Sequence, residues 1–151
     1  MFPIYHAVFS LIFSIILYAL KIFTLSEMMV IFLAAVLIDI DHYFFYIFKN
    51  KNLNPWKAYR WFVDRHEKIR KMKPEERSRY KEAIIIFHGL EFYIPLIIIS
   101  LFSRTALLIL IGVIFHVLLD MFDGAMSDSP VYPKISQIYS AITNKNRKEL
   151  S

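Results

Sequence analysis

A chain of 151 residues with 57% hydrophobic and 17% aromatic side chains has more apolar surface than a soluble domain of that length can bury, so a membrane protein is expected. Only 3 glycines leave little scope for the turns of a β-barrel, and the absence of cysteine excludes disulfides and thiolate metal ligands. The net charge of +5 is concentrated in one loop beside apolar segments, which points to membrane lipids with anionic headgroups as partners; no nucleic acid is expected.

Four apolar blocks predict an all-α membrane protein with four transmembrane helices in two hairpins. The first runs from Pro3 to about Phe23, with Lys21 its one charged side chain and Pro3 suited to a first helical turn. The start Met1, Phe2, Pro3 lacks the basic stretch and small-residue cleavage site of a signal peptide, so this helix is expected to be retained. The second block covers about Glu27 to Phe48, the third about Ala83 to Phe102 and the fourth about Thr105 to Phe122. Short links at Thr24–Ser26 and Ser103–Arg104 close the hairpins.

Between spans two and three, Trp56, Tyr59, Phe62, Val63, Ile69 and Met72 recur at helical spacing among Lys57, Arg60, Arg65, Lys68, Arg70 and Lys71, the pattern of a basic interfacial helix. Lys73, Pro74, Glu75 and Glu76 mark a second helix start that is expected to run on into span three. Pro95 predicts a kink in that span. After a Gly/Ser/Pro-rich break at 124–133, Ile135, Ile138 and Ile142 predict one face of a short amphipathic helix. Residues 1–123 thus read as a transmembrane domain including the interfacial loop 49–82, and 124–151 as a cytoplasmic tail. Of 18 Lys and Arg residues the loop from Lys49 to Lys81 holds 12 and the tail 4, so loop, tail and N-terminus are expected on the cytoplasmic side of a cell (inner) membrane. Four such helices leave room for a homodimer, although no Gly-x-x-x-Gly face supports one.

Ionisable residues inside spans are costly and mark function. With alternating chain direction and a 1.5 Å rise per residue, His6, Asp39, His42, His88, Glu91, His116 and Asp120 all fall roughly 5 to 13 Å inside the cytoplasmic boundary. Asp39 with His42, His88 with Glu91, and His116 with Asp120 are three or four apart and so share helix faces, with Asp123 one turn further on. Imidazoles and carboxylates from facing helices are how bundles hold one or two divalent ions, Zn first and Mn or Fe as alternatives. Asp41, about 100° around the helix from His42, fits a residue that orients a ligand. A buried polar network or proton relay without metal is the competing reading, and for His6 alone a helix end at the lipid interface.

Taken together, His6, the run Ile38-Asp39-Ile40-Asp41-His42, His88, and Phe115-His116-Val117-Leu118-Leu119-Asp120 give the chain a likeness over most of its length. It resembles the LexA-binding, inner-membrane-associated hydrolase family, described as membrane-bound metal-dependent hydrolases. The resemblance implies that His6, Asp39, Asp41, His42, His88, His116 and Asp120 form a metal site. Where that family has His-Arg-Gly-x-x-His-Ser, this chain has Phe87-His88-Gly89-Leu90-Glu91, the mark of a divergent branch.

The expected function is a metal-dependent hydrolase at the cytoplasmic membrane surface. A metal there brings the pKa of a bound water toward 7, with Glu91 or Asp41 as the general base and a phosphorylated, lipid-like amphiphile as substrate. A divalent-cation carrier or ion-coupled subunit is the first alternative, and a membrane scaffold with a structural metal the second.

Overall fold

The computed structural model describes residues 3–126 and 136–149. Among these the chain is helical, with one isolated bridge between Tyr80 and Lys148. The helices are α1 (Pro3–Ala19), α2 (Leu25–Leu37), α3 (Ile40–Asn50), α4 (Pro55–Lys71), α5 (Pro74–Arg77), α6 (Leu90–Ser100), α7 (Arg104–Met126) and α8 (Gln137–Thr143). Two stretches are long and apolar enough to cross a membrane: Leu25–Asn50, with 26 residues, and Arg104–Met126, with 23. The helices α1 and α6 are shorter, 17 and 11 residues. At 1.5 Å per residue α6 reaches only about 17 Å, roughly half of a hydrocarbon core.

The chain divides into two compact units, one of Met1–Asp39 with Phe92–Asp123, the other of Ile40–Glu91 with Gly124–Ser151. In the first, α1 is polar inside and apolar outside. His6, Ser10 and Ser14 lie one turn apart and are buried, whereas Ile4, Val8, Phe9, Ile12, Ile15 and Ile16 are exposed. The helix ends on Lys21 in the left-handed region, φ 57°, with Ile22 N–H bonded to the Leu17 carbonyl and Lys21 N–H to that of Tyr18. This pairing satisfies carbonyls the helix end would otherwise leave open.

A reciprocal cap starts α2. Glu27 N–H bonds Thr24 Oγ1, and Thr24 N–H bonds Glu27 Oε2 at 2.9 Å. The other oxygen of Glu27 accepts from Arg104 Nε and Nη2, each at 2.9 Å, so the first turns of α2 and α7 are clasped together. Met28, Ile31, Ala35 and Ile38 form the buried stripe of α2.

Gly112 of α7 sits directly on that stripe. A Cβ there would collide with the Ile31 carbonyl oxygen and lie 3.0 Å from Ala34 Cβ and 3.1 Å from Ala35 N. Small residues at such a crossing let two backbones approach closely, the usual way helices associate where lipid removes the hydrophobic drive. Replacing Gly112 with valine is expected to force α2 and α7 apart at a cost of about 1–3 kcal/mol. A clearly lowered melting temperature of the purified protein checks this.

In the second unit Asn54 caps α4 by accepting from Lys57 N–H at 3.0 Å, and Pro55 takes the first helical position. The helix expected from the aromatic and basic periodicity is therefore present. Phe45 and Tyr46 of α3 meet Trp61 and Phe62 of α4 in an aromatic layer.

The segment between α4 and α6 departs from expectation. No continuous helix runs from Pro74 into the third apolar block. The helix α5 is a single turn of 4 residues, and a 3-10 turn at Ile86–His88 and an extended Gly89 precede α6. The physical reason lies in the tail. Lys81 N–H bonds the Lys148 carbonyl, Asn144 bonds both N–H and C=O of Glu82, and Gln137 Oε1 accepts from Ile85 N–H. Backbone groups that a helix would pair internally are taken by the Gln137 and Asn144 side chains and by the backbone of Lys148. Gly89 is required here, since a Cβ would meet Glu91 Oε2 and lie 2.8 Å from Gln137 Cγ. The tail helix carries its polar side inward and its isoleucines outward. Gln137, Ser140 and Asn144 are buried, whereas Ile138 and Ile142 face outward; Ile135 lies outside the described residues.

Candidate metal centre

Four of the expected site residues meet within the first unit. His6 of α1, Asp39 just after α2, and His116 and Asp120 of α7 converge. His6 Nε2 is 3.3 Å from Asp120 Oδ1, and His116 Nε2 is 3.5 Å from Asp39 Oδ1 and 3.9 Å from Asp120 Oδ2. The two imidazoles stack with centroids 4.1 Å apart. Ligand atoms of His6, Asp39 and His116 all lie within 4.8 Å of one another, so this cluster could hold a metal ion.

The electrostatics of His116 give the cluster direction. Its Nδ1 is 2.8 Å from the Ala35 carbonyl oxygen, which can only accept, so Nδ1 carries the proton. In the neutral ring Nε2 is then a lone pair, and it faces two carboxylates that are also acceptors. A cation between them, or a proton on the ring, resolves that opposition. Fixing one imidazole nitrogen on a backbone carbonyl so that the other can ligate is the usual support of a metal-bound histidine. The two imidazoles are buried, His116 at 0% exposure and His6 at 2%, whereas the Asp39 and Asp120 side chains keep 20% and 16%.

The remaining expected residues belong to the second unit, where they are organised around Asp41. Its Oδ2 accepts from Phe87 N–H at 2.8 Å and lies 3.0 Å from His88 Nδ1, and its Oδ1 is 3.1 Å from His42 Nδ1. Asp41 thus holds two imidazoles by their Nδ1 atoms, with the His42 and His88 rings edge-to-face at 5.0 Å. The backbone of His88 is held in turn by Gln137, whose Nε2 donates to the His88 carbonyl.

Glu91 does not share a helix face with His88, because the 3-10 turn and extended Gly89 break the helix between them. Its carboxylate instead receives Ser136 Oγ at 2.6 Å, Ile138 N–H at 3.1 Å and Gln137 N–H at 3.2 Å. It serves the start of α8, alongside Ser136, which accepts from Tyr139 N–H.

The Ala35 carbonyl, Gln137 and Asn144 were not legible as site-supporting residues. A backbone carbonyl has no sequence signature, and an amide acting on chain some fifty residues away has no local period. Ser136, a good helix-capping type ahead of a short helix, was the available signal. Compared with known proteins, the chain matches no family model, no curated protein and no solved structure.

Proposed function

We propose that this chain is a multi-pass membrane protein that binds a divalent metal through His6, Asp39, His116 and Asp120 and hydrolyses a phosphorylated amphiphile at the cytoplasmic surface. The observation that carries the metal reading is His116, protonated at Nδ1 by its bond to Ala35 and turned with Nε2 toward Asp39 and Asp120. Two imidazole nitrogens with two carboxylates suit Zn, Mn or Fe. Such an ion supplies Lewis acidity to a water and to a phosphoryl or ester oxygen. His6 and His116 would hold and orient it from the buried side, and the partly exposed Asp39 and Asp120 would complete the ligand set.

The membrane reading rests on the two long apolar helices and on α1, whose hydroxyls and imidazole face inward while isoleucines face out. In this reading the remaining two of four crossings would be made by the shorter α1 and α6 with their flanking residues, and the positive-inside rule puts the basic loop and the tail on the cytoplasmic side. The Asp-x-Asp-His run and the His-x-x-x-Asp motif resemble the membrane-bound hydrolases and support the same activity. In this reading Asp41 positions His42 and His88, and Glu91 anchors the tail.

One observation favours cation transport as a second reading. Ser10 Oγ, Ser14 Oγ and His6 Nδ1 are buried on one stripe of α1 with no hydrogen-bond partner among the described residues, a polar line leading away from the cluster. Metal analysis of the purified protein, a panel of phosphorylated lipids as substrates, and cation uptake by proteoliposomes separate the readings. Bound metal with turnover of a panel member is the expected result. Metal-dependent uptake without turnover replaces the hydrolase by the carrier, and absence of bound metal sinks both.

A further inference from the structure

Arg65 of α4 is buried to 8% exposure, and its Nη1 has no hydrogen-bond partner among the described residues. Its Nη2 donates to the Lys81 carbonyl at 2.5 Å, and the guanidinium lies 5.5 Å from the Trp61 ring centre. No described carboxylate comes within ion-pairing distance of it. A buried cation with an open N–H is expensive to hold, and burial pushes its pKa below the ordinary value, an effect the charge of Glu149 opposes.

Two further cations meet at Glu149, and one of them shares the same ring. Lys49 Nζ stands 5.7 Å from the Trp61 ring centre and 2.6 Å from Glu149 Oε2, and Lys81 Nζ is 3.0 Å from Glu149 Oε1. One carboxylate therefore bonds two lysines and acts on the buried Arg65 through its charge alone.

We propose that Lys49 and Arg65, which share Trp61, and Lys81, whose carbonyl holds Arg65, form a binding site for a phosphate monoester, in which the Glu149 carboxylate is a built-in placeholder. A phosphate monoester brings a charge of about −1.5 to −2 and three acceptor oxygens, against one charge and two oxygens from a carboxylate. It can engage both lysines and still offer an oxygen to a guanidinium N–H, a charge-assisted bond of the strong kind. Displacement of Glu149 is easy to arrange. Its side chain is 56% exposed, and the chain before it is held independently by the Lys148 pairing with Arg79 and Lys81 and by the Arg147–Glu82 ion pair at 2.6 Å. The site stands apart from the metal reading, because it calls for binding alone.

The test uses the full chain in phosphatidylcholine nanodiscs with chelator present, in a Trp56→Phe background, so that fluorescence reports Trp61 and no turnover is read. Glycerol 3-phosphate is titrated in one arm, and phosphatidic acid is built into the disc in the other. Saturable binding that weakens with salt is expected. Glu149→Gln should tighten it by about 5- to 10-fold through loss of a competing anion, and Lys81→Gln should weaken it by a similar factor. Both residues are partly exposed, so the variants retain the fold; Arg65→Lys, which removes the planar fork, is the third variant and also weakens binding. Binding of the soluble ester identifies a water-borne ligand, and binding of phosphatidic acid alone identifies a lipid headgroup. Binding in neither arm overturns the proposal, as does unchanged affinity in Glu149→Gln.

Discussion

Replacing His116 with alanine should strip the purified protein of divalent metal and abolish any hydrolytic activity that depends on it. The side chain supplies Nε2 to the cluster and spends Nδ1 on Ala35, so its removal deletes a ligand and frees a buried carbonyl at once. Loss of a partner that merely orients a ligand costs about 10- to 100-fold in metal affinity, and loss of the ligand itself should exceed that. Asp120→Asn is the companion variant. It keeps the shape of the side chain and removes the charge near His6 and His116, so metal loss without loss of fold separates ligation from packing. Unchanged metal content in both variants would refute the site.

Removing residues 136–151 should release the segment from Arg79 to His88. Six backbone groups lose their partners: the Arg79 carbonyl, Lys81 N–H, both groups of Glu82, Ile85 N–H and the His88 carbonyl. Each bond is worth about 0.5–1.5 kcal/mol net, so together they hold several kcal/mol of local order. Hydrogen exchange at Lys81, Glu82 and Ile85 is the direct measurement, and it should accelerate by about 100-fold or more. In the intact chain Gln137→Ala should accelerate exchange at Ile85 and leave Lys81 protected. Acid should loosen the same grip in part. Hydrogen bonds from Lys49 and then Lys81 hold the Glu149 carboxyl down at about 2, against an ordinary value of 4.5. Its contribution is therefore complete above about pH 4.5 and fades as the pH falls toward 2.

The apolar blocks of the sequence located α1, the helix over 25–50 and α7, because long hydrophobic runs leave few other solutions. The 3.6-residue recurrence of Trp56, Tyr59, Phe62 and Val63 among basic residues located α4 for equally local reasons, whereas the Asn54–Pro55 cap that starts it was not part of that signal. The segment 78–89 was illegible for the opposite reason: its hydrogen bonds go to Gln137, Asn144 and Lys148, and no window along the chain contains both halves of those pairs. The same contrast holds at the site. His116 and Asp120 lie within one unbroken helix, so their spacing placed them on one face. His88 and Glu91 have a comparable spacing, but without a helix between them it carried no geometric meaning.

The clasp between Glu27 and Arg104 acts as the zero mark of a vernier. Asp39 stands twelve residues beyond Glu27, and His116 twelve beyond Arg104. Two rods of common pitch start level and run in the same direction, and the αR turn at Ile38 that closes α2 carries the rise on to Asp39, so both side chains arrive at the same height about 18 Å on. Their 3.5 Å separation is thus indexed from the far end of the helices, and a slip of one residue there would offset the pair by about 1.5 Å and 100° of azimuth.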